Sequence, residues 1–456
     1  MTFATAAQPP MPHRAASGAP LNIAVVGSGI SGLSAAWLLS QRHRVTVFEA
    51  DARPGGHSNT VDVSGPHGSI PVDTGFIVYN EPAYPNLTAL FDHLGVQTRA
   101  TDMSFAVSLD GGALEYSGTN LRGLFAQPRN LASPRFWSML RDLVRFYRQA
   151  PRDAERVGLM PLDSYLDEKG YGRAFREDHL YPMAAAIWST SAARVGQYPT
   201  EAFVRFCENH HLLQLSGRPS WRTVEGGSRR YVTRLTRGLG ERLRRDTPVL
   251  EVRRDAQGVT LRTRDGWLHE RFDDVVLATH ADQALRLLPD ATPEESRLLG
   301  AFKYSRNHAV LHSDPQLMPK RRATWSSWNY AADRARPDDL CVTYWMNQLQ
   351  GIPEHTPVYL TLNPMQAPRA EHLIRTEIYE HPLFDANAMR AQRELWNLQG
   401  GRRTWFCGAY FGSGFHEDGL QAGLAVAESL GGVRRPWNVV NESGRIHLGV
   451  RRVTAA

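Results

Sequence analysis

The sequence predicts an α/β protein in which a domain built on a parallel sheet is interleaved with an α+β domain. The first observation is a strand, a glycine-rich turn, a helix and a second strand between residues 21 and 49. The second is that further strand patterns suited to the same sheet come at residues 249–279 and 404–408. The long intervening stretches therefore belong to a second domain. The predicted organisation is a disordered leader (1–21), a first domain (22–84, 222–290 and 400–432), a second domain (85–221 and 291–399) and a C-terminal tail (433–456).

The first of these patterns is a complete βαβ unit. An apolar run ends at Val26, Gly27-Ser28-Gly29-Ile30-Ser31-Gly32 follows, and a helical pattern and a β-like run then lead to Glu49. The first glycine permits the turn, the second lets the backbone approach a pyrophosphate, and the third lets the helix pack closely on the strand. The helix N-terminus offers N–H groups to the phosphates, and Glu49 would accept hydrogen bonds from a ribose. This unit predicts a Rossmann-type dinucleotide site.

A second glycine pair follows in Arg53-Pro54-Gly55-Gly56-His57. The pair would let another backbone segment approach the cofactor, and Arg53 would neutralise phosphate charge. Together with Glu49, this segment resembles the FAD-binding fingerprint E-x-x-x-R-x-G-G of the flavin amine-oxidase and carotenoid-desaturase superfamily. The resemblance implies that the cofactor is FAD. His57 stands where amine oxidases usually have Arg, and it is either a cofactor contact or an ordinary polar residue of the loop.

Two further segments are placed by the same resemblance. The runs 60–63 and 70–78 predict a hairpin, followed by a turn at Asp73-Thr74-Gly75. In the superfamily an Asp-x-Gly segment runs beside the flavin, which implies contacts from Thr74, Gly75 and Phe76; a plain turn is the alternative. A strand like Val249–Val252 places backbone against the adenine, and a strand like Val275–Thr279 rejoins the Rossmann sheet.

The region from about Pro85 to Gln214 is predicted to be helical. Within it, apolar residues recur at helical spacing and arginines occupy the other positions. Such a helix either packs one face on a core or lies on a membrane surface with its basic face outward. The apolar positions are Phe136, Leu140, Leu143, Val144 and Tyr147, and the arginines are Arg135, Arg141, Arg145 and Arg148.

The last strong pattern is a short strand ending at Gly408, a glycine-rich loop, and a helix that starts near Asp418. Such a helix start can host the flavin ring, because its N–H groups and dipole would stabilise the negative charge that reduction places there. His416 and Tyr410 lie in this loop and are the candidate catalytic bases. For His416 the alternative is a structural hydrogen bond that holds the loop. Cys407 most simply packs as a small apolar residue.

Many segments resemble one narrower family, including "GGHSNTVDV", "FCENHHLLQL", "RPSWRTVEGGSRRYV" and "WFCGAYFGSGFHEDGLQAG". It is the FAD-dependent oxidoreductase domain at the N-terminus of plant cyclopropane-fatty-acid synthases, with its stand-alone bacterial relatives. The resemblance covers about residues 22–430 and implies a substrate among modified membrane lipids or other hydrophobic small molecules, and a lipid methyltransferase as a partner. The residues predicted to bind FAD are Gly27, Ser28, Gly29, Ile30, Ser31, Gly32, Glu49, Ala50, Arg53, Gly55, Gly56, His57, Thr74, Gly75, Phe76, Val249, Gly408, Glu417, Asp418, Gly419 and Leu420.

Two departures from amine oxidases bear on the substrate. The segment Gly414–Glu417 resembles their G-Y-x-E motif, whose Tyr forms half of an aromatic cage, but here that position is Phe415. Amine oxidases also usually carry a flavin-linked Lys on a strand, whereas the comparable stretch from Tyr304 to Asp314 has none, and Lys303 lies just outside it. An apolar pocket lined by Phe415 suits a hydrocarbon better than an amine.

Four functions remain open at this stage. The first is a flavin oxidoreductase that takes hydride from a fatty-acyl chain and leaves a double bond. The second is a flavin amine oxidase, and the third is a fatty-acid double-bond isomerase with no net oxidation. The fourth is a non-catalytic flavoprotein that serves as the partner of a lipid methyltransferase.

Composition bears on the class of protein and on its expected location in the cell. The chain has 456 residues, 42% apolar content and a net charge of +6, which suits a globular enzyme, and no run is basic enough to indicate nucleic-acid binding. Cys207, Cys341 and Cys407 form neither a disulfide framework nor a metal-ligand pattern. No stretch approaches about 18 uninterrupted apolar residues, so we expect no membrane-spanning helix. We predict a cytoplasmic protein, with peripheral contact at the inner face of the membrane left open.

Overall fold

The computed structural model describes residues 19–188, 192–336, 339 and 341–449. Most of the predicted leader and the end of the predicted tail therefore lie outside the described residues. The strands are β1 (Asn22–Val26), β2 (Arg44–Phe48), β3 (Thr60–Gly65), β4 (Gly68–Asp73), β5 (Tyr79–Asn80), β6 (Thr98–Thr101), β7 (Phe105–Leu109), β8 (Leu114–Ser117), β9 (Trp221–Val224), β10 (Leu243–Arg244), β11 (Glu251–Asp255), β12 (Gly258–Thr263), β13 (Gly266–Trp267), β14 (Asp274–Leu277), β15 (Lys303–His312), β16 (Trp328–Ala332), β17 (Cys341–Trp345), β18 (Tyr359–Leu362), β19 (Leu373–Leu383) and β20 (Thr404–Phe406).

Helices occupy much of the remaining chain. A π-helical turn, Arg176–Leu180, joins two of them. The α-helices are α1 (Ile30–Leu39), α2 (Pro85–Leu94), α3 (Leu121–Leu124), α4 (Pro134–Val157), α5 (Leu162–Glu168), α6 (Arg173–Phe175), α7 (Tyr181–Trp188), α8 (Ala192–Val195), α9 (Thr200–Asn209), α10 (Arg229–Thr236), α11 (Ala281–Arg286), α12 (Pro293–Leu299), α13 (Met346–Gln350), α14 (Ala386–Gln392) and α15 (His416–Gly431). In the described part of the chain, no helix has both the length and the apolar character needed to cross a bilayer.

The chain forms two compact units, each assembled from separate segments. The first takes Met1–Gly56, Val232–Gly300 and Gln392–Ala456, and the second takes His57–Tyr231 and Ala301–Ala391. The hairpin of β3 and β4, which the sequence analysis assigned to the first domain, belongs to the second unit. The first unit begins again at residue 232 and extends to residue 300, whereas the sequence analysis placed this middle segment at residues 222–290.

The first unit is built around a parallel sheet. Its strand order is β10-β2-β1-β14-β20, and each neighbouring pair is parallel. After a half-buried Asn22, strand β1 is apolar and buried, because sheet strands covered on both faces need no polar side. The chain leaves β1 toward β2 on one side, while β14 lies on the other side of β1. The carboxyl end of β1 is therefore a topological switch point, where α/β sheets commonly bind ligands.

Two strand predictions for this unit have different outcomes. The prediction of a strand near 275–279 is confirmed by β14, which pairs with β1 from Ile23 to Val26. The strand predicted at 249–252 begins later in the structure: β11 starts at Glu251, and Val249 lies in the preceding loop. The cause is the pairing partner: β11 aligns its residues 251–255 with β12, and this register leaves Val249 unpaired with that strand.

The second unit contains a mixed sheet of order β19-β15-β18-β17-β16-β7-β8. The predicted hairpin is confirmed by the antiparallel pair β3–β4. The prediction that 85–214 is helical is wrong for residues 98–117, which contain β6, β7 and β8. These strands are short, and β7 is held by parallel pairing with β16, more than two hundred residues later in the chain. Such long-range pairing overrides local propensity.

Helix α4 contains the basic amphipathic pattern. Its buried face contains Phe136, Met139 and Phe146, so much of the helix packs on a core. Arg145 lies with its guanidinium 4.0 Å from the ring centroid of Tyr171 and donates to the carbonyl of Gly170. This part of the arginine-bearing side is thus engaged within the protein.

A buried histidine of this unit predicts a pH dependence of stability. Burial lowers the pKa of His312 from its usual 6.5 to about 4, and its Nδ1 accepts a hydrogen bond from the Asp314 N–H. The unfolded chain therefore binds more protons than the folded chain between these values. The stabilisation from His312 is fully present above pH 6.5 and is lost as the pH falls toward 4.

We expect the wild type to lose up to about 3 kcal/mol more of its free energy of unfolding than His312→Asn between pH 7 and pH 4. Urea denaturation at several pH values measures this difference. Asp73, whose pKa is raised to about 6 by burial, contributes with the opposite sign, but it is present in both proteins. Parallel stability curves for the two proteins would contradict the prediction.

Candidate cofactor site

The glycine loop after β1 is shaped first by the packing of the protein itself. Gly27 has φ +99°, and a Cβ there would lie 2.8 Å from the Ala278 oxygen. A Cβ on Gly32 would lie 2.0 Å from the Gly27 oxygen. These two positions therefore need glycine for the turn and for the close approach of α1 to the sheet.

Gly29 is different, because the protein does not require a glycine there. It is the N-cap of α1, with φ −66° and ψ −179°, a conformation open to any residue. Apart from its chain neighbours, no heavy atom of the described residues comes within 4 Å of a Cβ built on it. In the described structure α1 has no side-chain cap and no acid in its first turn, which contains Ile30, Ser31 and Gly32. Open space and uncapped N–H groups at one helix start fit a diphosphate.

Glu49 is held beside this loop at the carboxyl end of β2. Its Oε2 accepts hydrogen bonds from the Ser28 N–H at 3.0 Å and from the Ser28 hydroxyl, and its Oε1 accepts from the Asp51 N–H at 2.9 Å. The carboxylate is buried and fixed in direction, as a partner for a ribose diol must be. Ala50, the next residue, is exposed.

The second glycine pair folds back onto the first loop. Gly55 donates its N–H to the Ser28 carbonyl at 3.0 Å, and a Cβ on Gly56 would lie 3.1 Å from the Cα of Gly29. Both have positive φ, +119° and +56°. Arg53 donates from Nη1 to the Gly56 carbonyl at 2.8 Å and so fixes this turn. Its predicted contact with phosphate remains a prediction.

Helix α15 lies directly against α1. A Cβ on Gly419 would lie 2.8 Å from the Ser31 hydroxyl, and one on Gly423 would lie 2.2 Å from the Ser31 carbonyl oxygen. The helix starts at His416, two residues before the predicted start. Two helix N-termini therefore approach each other beside the glycine loop, and both present partial positive charge there.

The acids at the start of α15 are committed to the protein. Asp418 is buried, its Oδ2 accepts from the Phe415 N–H at 2.8 Å, and burial raises the pKa of its carboxyl group. Glu417 is also buried and accepts from Gln421 Nε2 at 3.0 Å. Leu420 and Val249 are buried apolar side chains, so any contact with the cofactor would be made through apolar surface or backbone.

The two catalytic candidates sit in different environments. Burial lowers the pKa of His416 to about 3, so its imidazole is uncharged at neutral pH. Tyr410 is 2% exposed, with its ring against Gly408 and 5.0 Å from the ring of Phe411. The glycine at 408 is required by that ring, since a Cβ there would lie 2.4 Å from it. Tyr410 thus acts at least as a packing residue that shapes the loop.

In the second unit, the predicted turn runs beside the residues after the glycine pair. Phe76 donates its N–H to the His57 carbonyl at 2.8 Å, and a Cβ on Gly75 would lie 2.1 Å from that oxygen. The Thr74 N–H is bonded to the Asn59 carbonyl at 2.9 Å. The segment 57–59 and the predicted turn segment 74–76 therefore pack tightly against each other.

Sequence reasoning missed a polar cluster around His57. The ring centroid of His57 lies 5.0 Å from that of Tyr379 and 5.5 Å from that of His381. The Tyr379 hydroxyl lies 2.7 Å from Thr74 Oγ1, and His381 Nδ1 lies 3.2 Å from Asn307 Nδ2. Tyr379 and His381 are two residues apart on β19, and this alternation is the one signal in the sequence that places them on a common face.

The residues of the first unit fit the adenosine diphosphate end of a dinucleotide. Such a ligand requires open space, which Gly29 provides, and partial positive charge, which the starts of α1 and α15 provide. It also requires a fixed carboxylate after β2 and a second glycine turn, and both are present. The fold and this site define the class as a dinucleotide-binding α/β protein whose binding segments are interleaved with a second unit.

The chain belongs to the flavin containing amine oxidoreductase family, whose model matches residues 30–316. It is therefore an FAD-dependent oxidoreductase with an amine-oxidase-like two-domain fold. Short alignments join it to two curated relatives. Protoporphyrinogen oxidase 2 of Arabidopsis thaliana is 42% identical to this chain over 78 residues, which are 17% of this chain and 14% of that protein. The L-amino-acid oxidase of Daboia russelii is 55% identical over 42 residues, which are 9% of this chain and 8% of that protein.

Solved structures share the fold over nearly the whole chain. Putrescine oxidase bound to putrescine superimposes with a TM-score of 0.65 at 15% identity, covering 90% of this chain and 98% of that one. Cyclohexylamine oxidase from Brevibacterium oxydans gives 0.59 at 18% identity, covering 90% and 99%. A fatty acid isomerase from P. acnes gives 0.60 at 17% identity, covering 88% and 97%. At these identities the likeness establishes the fold and leaves the substrate open.

Proposed function

We propose that this enzyme removes hydride from a fatty-acyl chain of a membrane lipid, at a carbon next to a double bond or a methyl branch, and leaves a new double bond. The proposal includes kinship with the N-terminal domain of plant cyclopropane-fatty-acid synthases, which the segments quoted above support. It also includes a lipid methyltransferase as the supplier of methylated chains.

The observation that carries the proposal is the chemistry at the start of α15. Phe415 stands where the amine oxidases place a cage tyrosine, and His416 beside it is uncharged because burial lowers its pKa to about 3. A group without charge next to an apolar ring favours a hydrocarbon over an ammonium ion. The structure extends β15 back to Lys303, so the strand does carry a lysine, but this lysine is exposed at the start of the strand and the rest, Tyr304 to His312, contains none.

The reaction has to balance. A hydride leaves one acyl carbon and a proton leaves its neighbour, so that the electron pair of the second C–H bond forms the double bond. FAD, when bound, would supply the hydride acceptor, and dioxygen or a quinone-type electron carrier would be the oxidant that restores it. His416 is our candidate to accept the proton: its lowered pKa leaves the imidazole unprotonated at neutral pH, and it would act as a correspondingly weak base.

The test is anaerobic mixing of the purified holoenzyme with vesicles that contain unsaturated or methyl-branched phospholipid. We expect bleaching of the oxidised flavin absorbance and lipid that has lost two hydrogen atoms by mass spectrometry. His416→Gln should slow the bleaching by at least about tenfold, whereas Phe415→Tyr should retain it. Bleaching by amines and not by lipid would make the chain an amine oxidase. No bleaching with any substrate would favour the role of a non-catalytic partner.

A second candidate, double-bond isomerisation, is favoured by the structural likeness to the fatty acid isomerase from P. acnes. An isomerase returns the hydride to the same chain, so it needs no electron acceptor. The same vesicle experiment separates the two. Isomerisation moves a double bond at constant mass over many turnovers without oxygen, whereas desaturation stops after one turnover.

A further inference from the structure

The second unit exposes apolar side chains on one segment that carries no acid. Leu121, Leu131 and Trp137 are 75%, 55% and 49% exposed. From Gly118 to Arg141 the chain has four arginines and neither aspartate nor glutamate. Exposed leucine and tryptophan normally cost solubility, so a group of them beside arginines indicates a binding surface. We call this segment the 118–141 surface.

The apolar residues of this surface are held together and face solvent. The Trp137 indole N–H donates to the Leu131 carbonyl at 2.8 Å, which satisfies its one polar group. Phe125, one turn after Leu121, lies with its ring centroid 5.8 Å from that of Trp137. What remains exposed on Trp137 is therefore apolar ring. Tryptophan in this arrangement is typical of the interface between water and lipid.

The arginines supply charge of one sign. Within the described residues, neither Arg122 nor Arg129 forms an ion pair, and both are exposed. Arg141 follows Trp137 by one helical turn, so it projects from the same side of α4, and its side chain is 74% exposed. Two of the arginines are paired within the protein: Arg135 with Glu177 and Asp178, and Arg141 with the buried Asp142, whose Oδ1 lies 3.4 Å from its Nε. The segment itself still carries net positive charge, because it contains no acid.

We propose that the 118–141 surface docks on an anionic phospholipid membrane. Leu121, Leu131 and Trp137 would enter the headgroup and acyl boundary, while Arg122, Arg129 and Arg141 would pair with lipid phosphates. The occupant follows from the charge: exposed apolar side chains next to two arginines that form no ion pair within the described residues, on a segment without an acid, complement a negative bilayer surface. This inference concerns docking alone and stands apart from the reaction under Proposed function, so either can fail without the other.

The test is co-sedimentation of the full-length holoenzyme with phosphatidylcholine vesicles, with and without phosphatidylglycerol. We expect binding to the anionic vesicles that weakens as salt is added. Arg122→Gln/Arg129→Gln should weaken it roughly 25-fold, at about fivefold for each arginine. Leu131→Ser/Trp137→Ser should weaken it at least about tenfold, because the inserted apolar area is lost.

Matched controls lie elsewhere on the chain. Arg237→Gln/Arg245→Gln removes the same charge from exposed arginines of the first unit, and Leu373→Ser removes an exposed leucine from β19. These variants should bind as the wild type does, and unchanged flavin absorbance and thermal midpoints should show that all variants fold. No binding of the wild type to anionic vesicles, or equal losses in the control variants, would overturn the proposal. So would self-association of the protein that Leu131→Ser/Trp137→Ser abolishes while vesicle binding is unaffected.

Discussion

Gly29→Val is expected to give a folded protein that binds FAD roughly tenfold to a hundredfold more weakly than the wild type, because it fills a close-packed ligand contact. The backbone at Gly29 already has an extended conformation that valine adopts, with φ −66°. The space around its Cβ is open within the described structure. The protein therefore accepts the side chain, and the ligand is what the side chain meets.

The measurement is a titration of apoprotein with FAD, followed by flavin fluorescence, together with the thermal midpoint of the apoprotein. Valine is a poor helix N-cap, so the midpoint should fall by no more than about 4 °C. Gly238→Val is the matched control, because it makes the same change in open space in the same unit. It should leave the affinity unchanged. Wild-type affinity in Gly29→Val would show that the pyrophosphate does not cross Gly29.

Gly32 offers the opposite comparison. A Cβ at Gly32 would meet the Gly27 oxygen at 2.0 Å, so even alanine there must move α1 away from the sheet. A loss of FAD binding in Gly32→Ala would come with a loss of stability, whereas the loss in Gly29→Val would not. The two glycines of one motif thus separate a requirement of the fold from a requirement of the ligand.

The difference between these glycines also explains what the sequence could predict. The turn, α1, Glu49 and the Gly55-Gly56 pair lie within thirty residues, and their geometry follows from local rules for βαβ units. The cluster of His57, Tyr379 and His381 depends on pairing between β15 and β19 and on a contact across 322 residues of chain. No local pattern specifies such a contact, so the cluster was visible only in the structure.

The misplaced strands have the same cause. Val249 and Leu250 are as suited to a strand as the residues that follow, and the choice is made by alignment of β11 with β12. Strands β6 to β8 are four or five residues each and sit among helices. β6 pairs with β9 and β7 pairs with β16, both far along the chain, and β8 pairs with β7, so the strand character of this region depends on tertiary pairing.

The second large effect is expected at a buried ion pair of the first unit. Arg254 on β11 and Glu295 on α12 have side chains that are 1% and 5% exposed. Arg254 donates from Nη1 and Nη2 to the two Glu295 oxygens at 2.6 and 3.1 Å. Asp290 pairs with the same guanidinium at 2.8 Å but is partly exposed. The arrangement ties α12 to the antiparallel sheet.

Glu295→Ala should lower the free energy of unfolding by about 3–5 kcal/mol, because it leaves a charged guanidinium buried without its main partner. Part of any loss comes from the helix cap, since Glu295 and Thr292 also bond each other's backbone N–H groups at 2.8 and 3.1 Å. Thr292→Ala isolates that part and should cost only about 1 kcal/mol. Urea unfolding followed by tryptophan fluorescence and by release of FAD measures each variant.

The double variant Arg254→Met/Glu295→Leu decides whether the buried charge is the cause. It removes both charges and keeps apolar volume, so it should be more stable than Glu295→Ala although it carries one more substitution. Recovery of this kind cannot come from the cap, which both variants lack. If the double variant is as unstable as Glu295→Ala, the loss arises from packing between α12 and β11. If Thr292→Ala is as costly as Glu295→Ala, it arises from the cap. Either result would show that the buried ion pair is not what stabilises this part of the unit.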